Sequence, residues 1–177
     1  GQPAMQSGRI DVNLARDEID WLHFNSISYS TKHDLIAISC RQTSEVWLLD
    51  HSTSTDQAKN STGGKRGVGG DIWRRWGSSE GQRELFCQHN VNWIRDGLPG
   101  AGNLLVFDNG EEHVRPSSRV LELRFNEGRT GPKTFDVVWE YSGGRFHLYS
   151  SFVSGAQRLP NGNTLVCSGT QGWIVEV

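Results

Sequence analysis

Gly102-Asn103-Leu104-Leu105-Val106 returns further along the chain as Gly162-Asn163-Thr164-Leu165-Val166, and this echo decides the fold. Both copies follow a Leu-Pro pair, Leu98-Pro99 and Leu159-Pro160, so each reads as a turn feeding a short apolar strand. The earlier run Asp34-Leu35-Ile36-Ala37-Ile38-Ser39, which follows Lys32-His33, has the same character. Working outward, a strand-like stretch precedes each run, at 25–29, 90–94 and 151–158, and a third follows it, at 45–49, 119–124 and 173–177. A fourth closes the first two groups: Asp71-Ile72-Trp73-Arg74-Arg75-Trp76 and Asp136-Val137-Val138-Trp139-Glu140-Tyr141. Val120-Leu121-Glu122-Leu123-Arg124-Phe125 alternates with the period of two that a sheet packed on one face requires. Four short antiparallel strands recurring every sixty to seventy residues or so is the pattern of β-propeller blades.

The chain therefore reads as all-β, one propeller segment over residues 1–177 holding about three blades. Residues 1–19 form a lead-in or preceding strand, unit 1 spans 20–77, unit 2 spans 86–142, and unit 3 spans 146–177 without its fourth strand. His51 to Gly70, rich in Ser, Thr, Gly and Lys, reads as an exposed loop, and no stretch supports a long helix. The composition agrees: 35% hydrophobic and 21% charged residues can build a core, and Gly 21 supplies turns. A net charge of -2 argues against nonspecific nucleic-acid binding. No apolar run approaches the roughly 18 residues of a membrane span. Cys40, Cys87 and Cys167 contain no CxxC pair, so they read as ordinary buried thiols in strands.

Polar residues gather at one point of the repeat. Trp21-Leu22-His23-Phe24-Asn25-Ser26 opens unit 1, Gln88-His89-Asn90-Val91-Asn92 opens unit 2, and His147-Leu148-Tyr149-Ser150-Ser151 opens unit 3. Equivalent positions of successive blades converge on the central channel, so His23 and His89 are expected to face one cavity. Ser39-Cys40-Arg41-Gln42 and Phe107-Asp108-Asn109-Gly110 end the second strands at the same level. His, Asn and Arg around one funnel suit an oxyanion, because guanidinium and imidazolium are charged donors. Plainer roles are expected elsewhere. His33, His51, Arg74-Arg75 and Lys65-Arg66 read as solvated, and the tryptophans at 47, 73, 76, 93, 139 and 173 mostly as packing between blades.

Taken together, several motifs carry a resemblance: Asp20-Trp21-Leu22-His23-Phe24-Asn25-Ser26-Ile27, Ser39-Cys40-Arg41-Gln42, Gln88-His89-Asn90 and Phe107-Asp108-Asn109-Gly110. Val138-Trp139-Glu140-Tyr141, Tyr149-Ser150-Ser151 and the run from Ser154 to Leu165 continue it. In this order, from about Asp20 to the end, the sequence resembles the arylsulfotransferase family in its bacterial and environmental branch. The resemblance implies a six-bladed propeller, with this chain supplying part of the ring, that moves a sulfuryl group from an aryl sulfate to a phenol. The implied chemistry needs neither a nucleotide donor nor any cofactor or metal. A channel histidine forms a sulfohistidine while other histidines and an arginine hold the sulfate oxygens. By motif, the catalytic residues are His23 and His89, and Asn25, Arg41, Asn90, Asn109 and Tyr149 line the funnel as substrate contacts. The family's arginine after the Phe-Asp-Asn-Gly turn falls near His113 or Arg115, and Arg115 is the candidate substrate contact.

One departure matters. In the family the nucleophilic histidine follows the strand corresponding to Asn163–Ser168, where this sequence reads Gly169-Thr170-Gln171-Gly172-Trp173. Either another histidine takes the role, or the chemistry differs, or the protein is a noncatalytic propeller that binds or assembles. A metal site on His23, His89 and a third ligand is a weaker reading, since no carboxylate has an obvious place beside them. The expected partners are a small aromatic or sulfated ligand, with self-association or the remainder of a longer chain completing the ring. The family's export suggests a periplasmic or extracellular location.

Overall fold

A computed structural model of the chain describes residues 19–79, 82–144 and 147–177. The expected lead-in lies almost wholly outside the described residues. The architecture is all-β, built of antiparallel sheets in the manner of consecutive propeller blades. The first sheet has the order β1-β2-β3-β4, from strands Phe24–Ser30, Leu35–Cys40, Glu45–Asp50 and Ile72–Trp76. A small hairpin, β5 (Ser78–Ser79) and β6 (Gln82–Arg83), leads to the second sheet. That sheet has β7 (His89–Trp93), β8 (Leu104–Asp108), β9 (Arg119–Phe125) and β10 (Phe135–Tyr141) in sequential order. The third holds β11 (Gly155–Arg158), β12 (Thr164–Ser168) and β13 (Trp173–Glu176). A single helical turn, α1 (Thr55–Ala58), capped by Ser54, interrupts the loop between β3 and β4.

The middle sheet explains its own sequence. All five residues of β8 are buried, so it is covered on both faces. Leu104 and Val106 join Leu35, Val46, Leu48, Trp76, Leu121 and Leu123 in a core between the first two sheets. Leu105 and Phe107 point the other way, with Val120, Leu148, Ala156 and Val166, into a core between the second and third. Each fully buried leucine contributes roughly 1.5–3 kcal/mol by leaving water.

Side chains of the innermost strands fasten one sheet to the next. Ser26 Oγ accepts from Val91 N at 2.8 Å and Ser28 Oγ accepts from Trp93 N at 3.0 Å. Asn90 Oδ1 accepts from Ala156 N at 2.9 Å, and Asn92 Nδ2 donates to Ala156 O at 3.1 Å. β1, β7 and β11 belong to different sheets, so polar side chains at alternate positions satisfy backbone groups between them.

Several expectations are corrected. The strand expected from Ser151 begins only at Gly155, because Val153 (φ 54) and Ser154 (φ 86) are left-handed and break the extended run. Arg66 is not solvated: its side chain is 8% exposed, pairs with Asp50 at 3.1 Å and Glu127 at 2.9 Å, and covers Trp73. Arg75 likewise pairs with Glu45 over the Trp47 ring. His33 packs against Trp93 and Phe125, with Nε2 3.0 Å from Gly102 O. Arg66 is carried there by its own loop folding back, Arg75 by the pairing of β4 with β3, and His33 by the approach of the second sheet. Cys40 is buried, but Cys87 sits in a left-handed turn outside the strands and Cys167 is exposed on β12. Trp73, Trp76 and Trp93 pack between the first two sheets and Trp139 and Trp173 against the second core, as the tryptophan reading anticipates. Among the described residues no helix is long and apolar enough to cross a membrane.

Candidate functional site

The strand order carries each candidate to one end of the stacked sheets. β1 and β7 begin there, after His23 and at His89, while β2 and β8 end there, before Arg41 and Asn109. Local backbone geometry sharpens the convergence. His23 (φ 48), Cys87 (φ 53) and Asn90 (φ 52) are left-handed, and so are Val153 and Ser154 at the head of β11. Such conformations each cost roughly 1–3 kcal/mol, so tertiary contacts must hold them. Both β1 and β7 also bulge at this end, between Phe24 and Ser26 and between His89 and Asn92. A bulge re-aims the side chains beside it.

The two imidazoles meet edge to face, with ring centroids 6.3 Å apart. His89 is nearly buried, and its Nδ1 faces two oxygens, Asn109 Oδ1 at 2.8 Å and Cys87 O at 3.1 Å. The Asn109 amide is itself fixed, because its Nδ2 donates to Ser150 O at 2.7 Å and Val153 O at 3.0 Å. With acceptors on that side only, Nδ1 must carry the proton and Nε2 keeps its lone pair. Among the described residues nothing hydrogen-bonds to that Nε2. Burial pushes the His89 imidazole below its ordinary value, helped by the charges of Arg41 and His23 and opposed by Asn109 and Cys87. His23 is more open and turns its Nδ1 to the carboxylate of Asp20.

Arg41 supplies the charge. Its backbone N–H donates to His23 O at 3.2 Å, and its guanidinium, close enough to bear on His89, has no hydrogen-bond or ion-pair partner among the described residues. The other candidates are engaged in whole or in part. Asn25 Nδ2 donates to Gln88 O at 2.8 Å, while its buried Oδ1 has no partner among the described residues. Asn90 is held by Ala156, as described above. Arg115 lies 2.6 Å from the buried Asp108 carboxylate, which also receives Arg119 at 2.9 Å and Phe86 N at 2.8 Å. Burial pushes Asp108 up from its ordinary value while both arginines pull against it. Tyr149 is not brought to the histidine pair; its ring meets His147 and its N–H donates to Gln171 Oε1.

At the place where the family's nucleophilic histidine is expected, the β12–β13 hairpin is tied to the segment that leads into β11. Thr170 Oγ1 donates to Ser150 Oγ at 2.9 Å, Gly169 N donates to Ser154 Oγ at 2.8 Å, and Gln171 Nε2 donates to His147 O at 2.9 Å. Three residues that the sequence reading did not single out prove structural or positional. Gln88, fully buried, donates to Cys40 O and Glu45 O and locks the second blade to the first. Asp20 holds His23, and the exposed Phe152 stands beside the Val153 carbonyl that binds Asn109. The motif spacing Asp20-x-x-His23 was the only available signal for Asp20.

A cleft of about 620 Å³ is lined by the innermost strands and the third sheet, with Ile27, Tyr29, Asn92, Arg95 and Gln157 among its walls. It borders the histidine site through Asn90. Among the described residues no three His, Cys, Asp or Glu side chains converge as a metal site would require.

The family model described as Arylsulfotransferase (ASST) matches residues 4–175. The chain belongs to the arylsulfotransferase family. No curated protein matches it closely enough to add a relative. Family membership covers all three sheets, and so both histidines and the hairpin that lacks one.

Proposed function

We propose that this member of the arylsulfotransferase family transfers a sulfuryl group from an aryl sulfate to a phenol at the His23–His89 site, without a nucleotide donor. The observation that carries the reading is the edge-to-face histidine pair, with an Arg41 whose charge bears on His89 and whose guanidinium has no partner among the described residues, within a chain of this family. A sulfate ester needs a charged fork for its oxygens, and Arg41 is the uncommitted cation of the site. The transferring group needs a nucleophile and a proton carrier, and two imidazoles with open Nε2 atoms offer both. Asn25 Oδ1, buried without a partner, suits the hydroxyl of the incoming phenol. Phe152 offers an exposed apolar face to an aromatic ring. Asn90, Asn109, Arg115 and Tyr149 complete the proposed surroundings, most of them by holding the walls rather than by touching substrate. The three sheets, over 20–77, 86–142 and 146–177, would form part of a six-bladed ring closed by further blades or a second copy.

Incubation with 4-nitrophenyl sulfate and a phenol, with chromatography of the sulfated product, tests the reading. Transfer that disappears in the His23→Ala/His89→Ala variant supports it. No transfer, with no change in that variant, refutes it. A second reading, a noncatalytic binding propeller, is favoured by the Gly169–Gly172 hairpin, whose polar groups bind the chain itself. Calorimetric binding of the aryl sulfate without turnover would select it.

A further inference from the structure

The proposed function leaves open which atom attacks sulfur. We infer that His89 Nε2 is the nucleophile, that Asn109 is its positioning residue, and that the Asp20–His23 pair carries the proton. This rests on the sulfuryl-transfer reading. It differs from the family pattern, in which the nucleophile follows the strand here called β12.

The two histidines are alike in type but differ in what holds them. His89 is held through Nδ1 by a neutral amide and a carbonyl, both of which demand N–H there. The amide cannot rotate away, since both of its N–H groups are taken by Ser150 and Val153 carbonyls. His89 thus presents a lone pair at Nε2 in a nearly buried site, and neither acceptor offers a full charge to an imidazolium. His23 is held through Nδ1 by a carboxylate, which accepts from an Nδ1–H and leaves Nε2 to exchange its proton. It is also the more exposed ring, open to exchange protons with solvent. Environments that separate two groups of one kind assign the acid and the nucleophile. The downward push on His89 by burial and by Arg41 agrees with this assignment.

The step balances. The Nε2 lone pair of His89 forms the N–S bond as the bond from sulfur to the aryl oxygen breaks. The electron pair leaves on that oxygen, which takes the Nε2 proton of the His23 imidazolium. His23 is left neutral, with its Nδ1–H still on Asp20. In the second half His23 Nε2 removes the hydroxyl proton of the acceptor phenol. The phenol oxygen bonds to sulfur as the N–S bond breaks and its pair returns to His89. Arg41 faces the sulfuryl oxygens throughout.

The test uses the 177-residue chain with 4-nitrophenyl sulfate and no acceptor, quenched in alkali because N-sulfated imidazole is acid-labile. Peptide mass mapping should find one added SO3 on the peptide bearing His89, absent in His89→Gln. His23→Gln should slow phenyl sulfate about tenfold or more beyond its effect on 4-nitrophenyl sulfate, whose leaving group needs no proton. Nitrogen-15 spectra should show the Nδ1–H tautomer of His89 in the parent chain and mixed tautomers in Asn109→Ala. An adduct on another histidine, or transfer with no adduct, overturns this assignment and leaves the transfer reading intact. Equal slowing of both donors by His23→Gln overturns the proton-carrier role, and an unchanged tautomer in Asn109→Ala overturns the positioning role. Absence of both adduct and transfer overturns the reading on which it rests.

Discussion

Replacing Arg41 by Gln isolates electrostatics from folding. In the free protein its guanidinium has no ion-pair or hydrogen-bond partner among the described residues, so removing it orphans nothing. A change that breaks no contact should alter stability by about 0.5 kcal/mol or less. Binding is different. A hydrogen bond to a charged group contributes roughly 1.5–3 kcal/mol. Each 1.4 kcal/mol or so is tenfold in affinity, and the half-buried setting of Arg41 favours the lower part of that range. The expected loss is therefore about tenfold to a hundredfold in Kd for an aryl sulfate, measured by calorimetry, with Tm unchanged. Arg41→Lys should fall between, because an ammonium keeps the charge and loses the planar fork. The charge also bears on His89, so its titration, followed by NMR, should rise toward 6.5 in the variant. A Kd within about twofold of the parent would refute the claim that Arg41 is the anion's anchor. A marked fall in Tm would refute the claim that it is uncommitted.

Three further perturbations probe the frame. Burial lowers both His33 and His89 from the ordinary 6.5, so the unfolded chain binds protons that the folded chain does not. Stability should be complete above about pH 6.5 and be lost as the pH falls through the lowered folded values; a urea midpoint that is level from pH 7.5 to 5 would count against this. Gly155→Ala sets a Cβ 2.6 Å from Asn90 Oδ1 and disturbs its bond to Ala156. A loss of about 1–3 kcal/mol is expected, read as a fall in Tm, and no shift would mean that Asn90 is free to move. Arg66→Met leaves the fully buried Asp50 without its guanidinium, at a cost of about 3–5 kcal/mol in chemical denaturation. A near-neutral result would mean that Ser52 and the Arg66 backbone N–H suffice for that carboxylate.

The strands were legible because their signals are local. A Leu-Pro turn, a Gly-Asn start and an apolar run announce β8 and β12 without reference to anything distant. What failed was local inference about residues whose environment is made elsewhere. Arg66 looks solvated in a glycine-rich loop, yet that loop folds back so that Arg66 bridges Asp50 and Glu127 across two sheets. The head of β11 looked extended because Ser151 to Arg158 contains nothing forbidding it. Only the contacts of Ser150, Asn109 and Gly169 hold Val153 and Ser154 in their left-handed turns.

The site raises the same difficulty in a form that can be resolved. At the mouth of a propeller, one alternation of Ser, Asn and His must serve two needs, joining blade to blade and meeting a ligand, and residue type does not separate them. Asn25, Asn90 and Asn92 resemble ligand groups in sequence as closely as His23 does. Their atoms differ in commitment: Asn90 Oδ1 is used by Ala156 N, Asn92 Nδ2 by Ala156 O, and Asn25 Nδ2 by Gln88 O. Among the described residues this leaves Nε2 of His23, Nε2 of His89 and the Arg41 guanidinium without a partner at the part-exposed mouth, with Asn25 Oδ1, Gln88 Oε1 and Arg115 Nε unpaired in the walls. A cation beside two imidazole nitrogens would suit the sulfate ester and the hydroxyl of the proposed transfer.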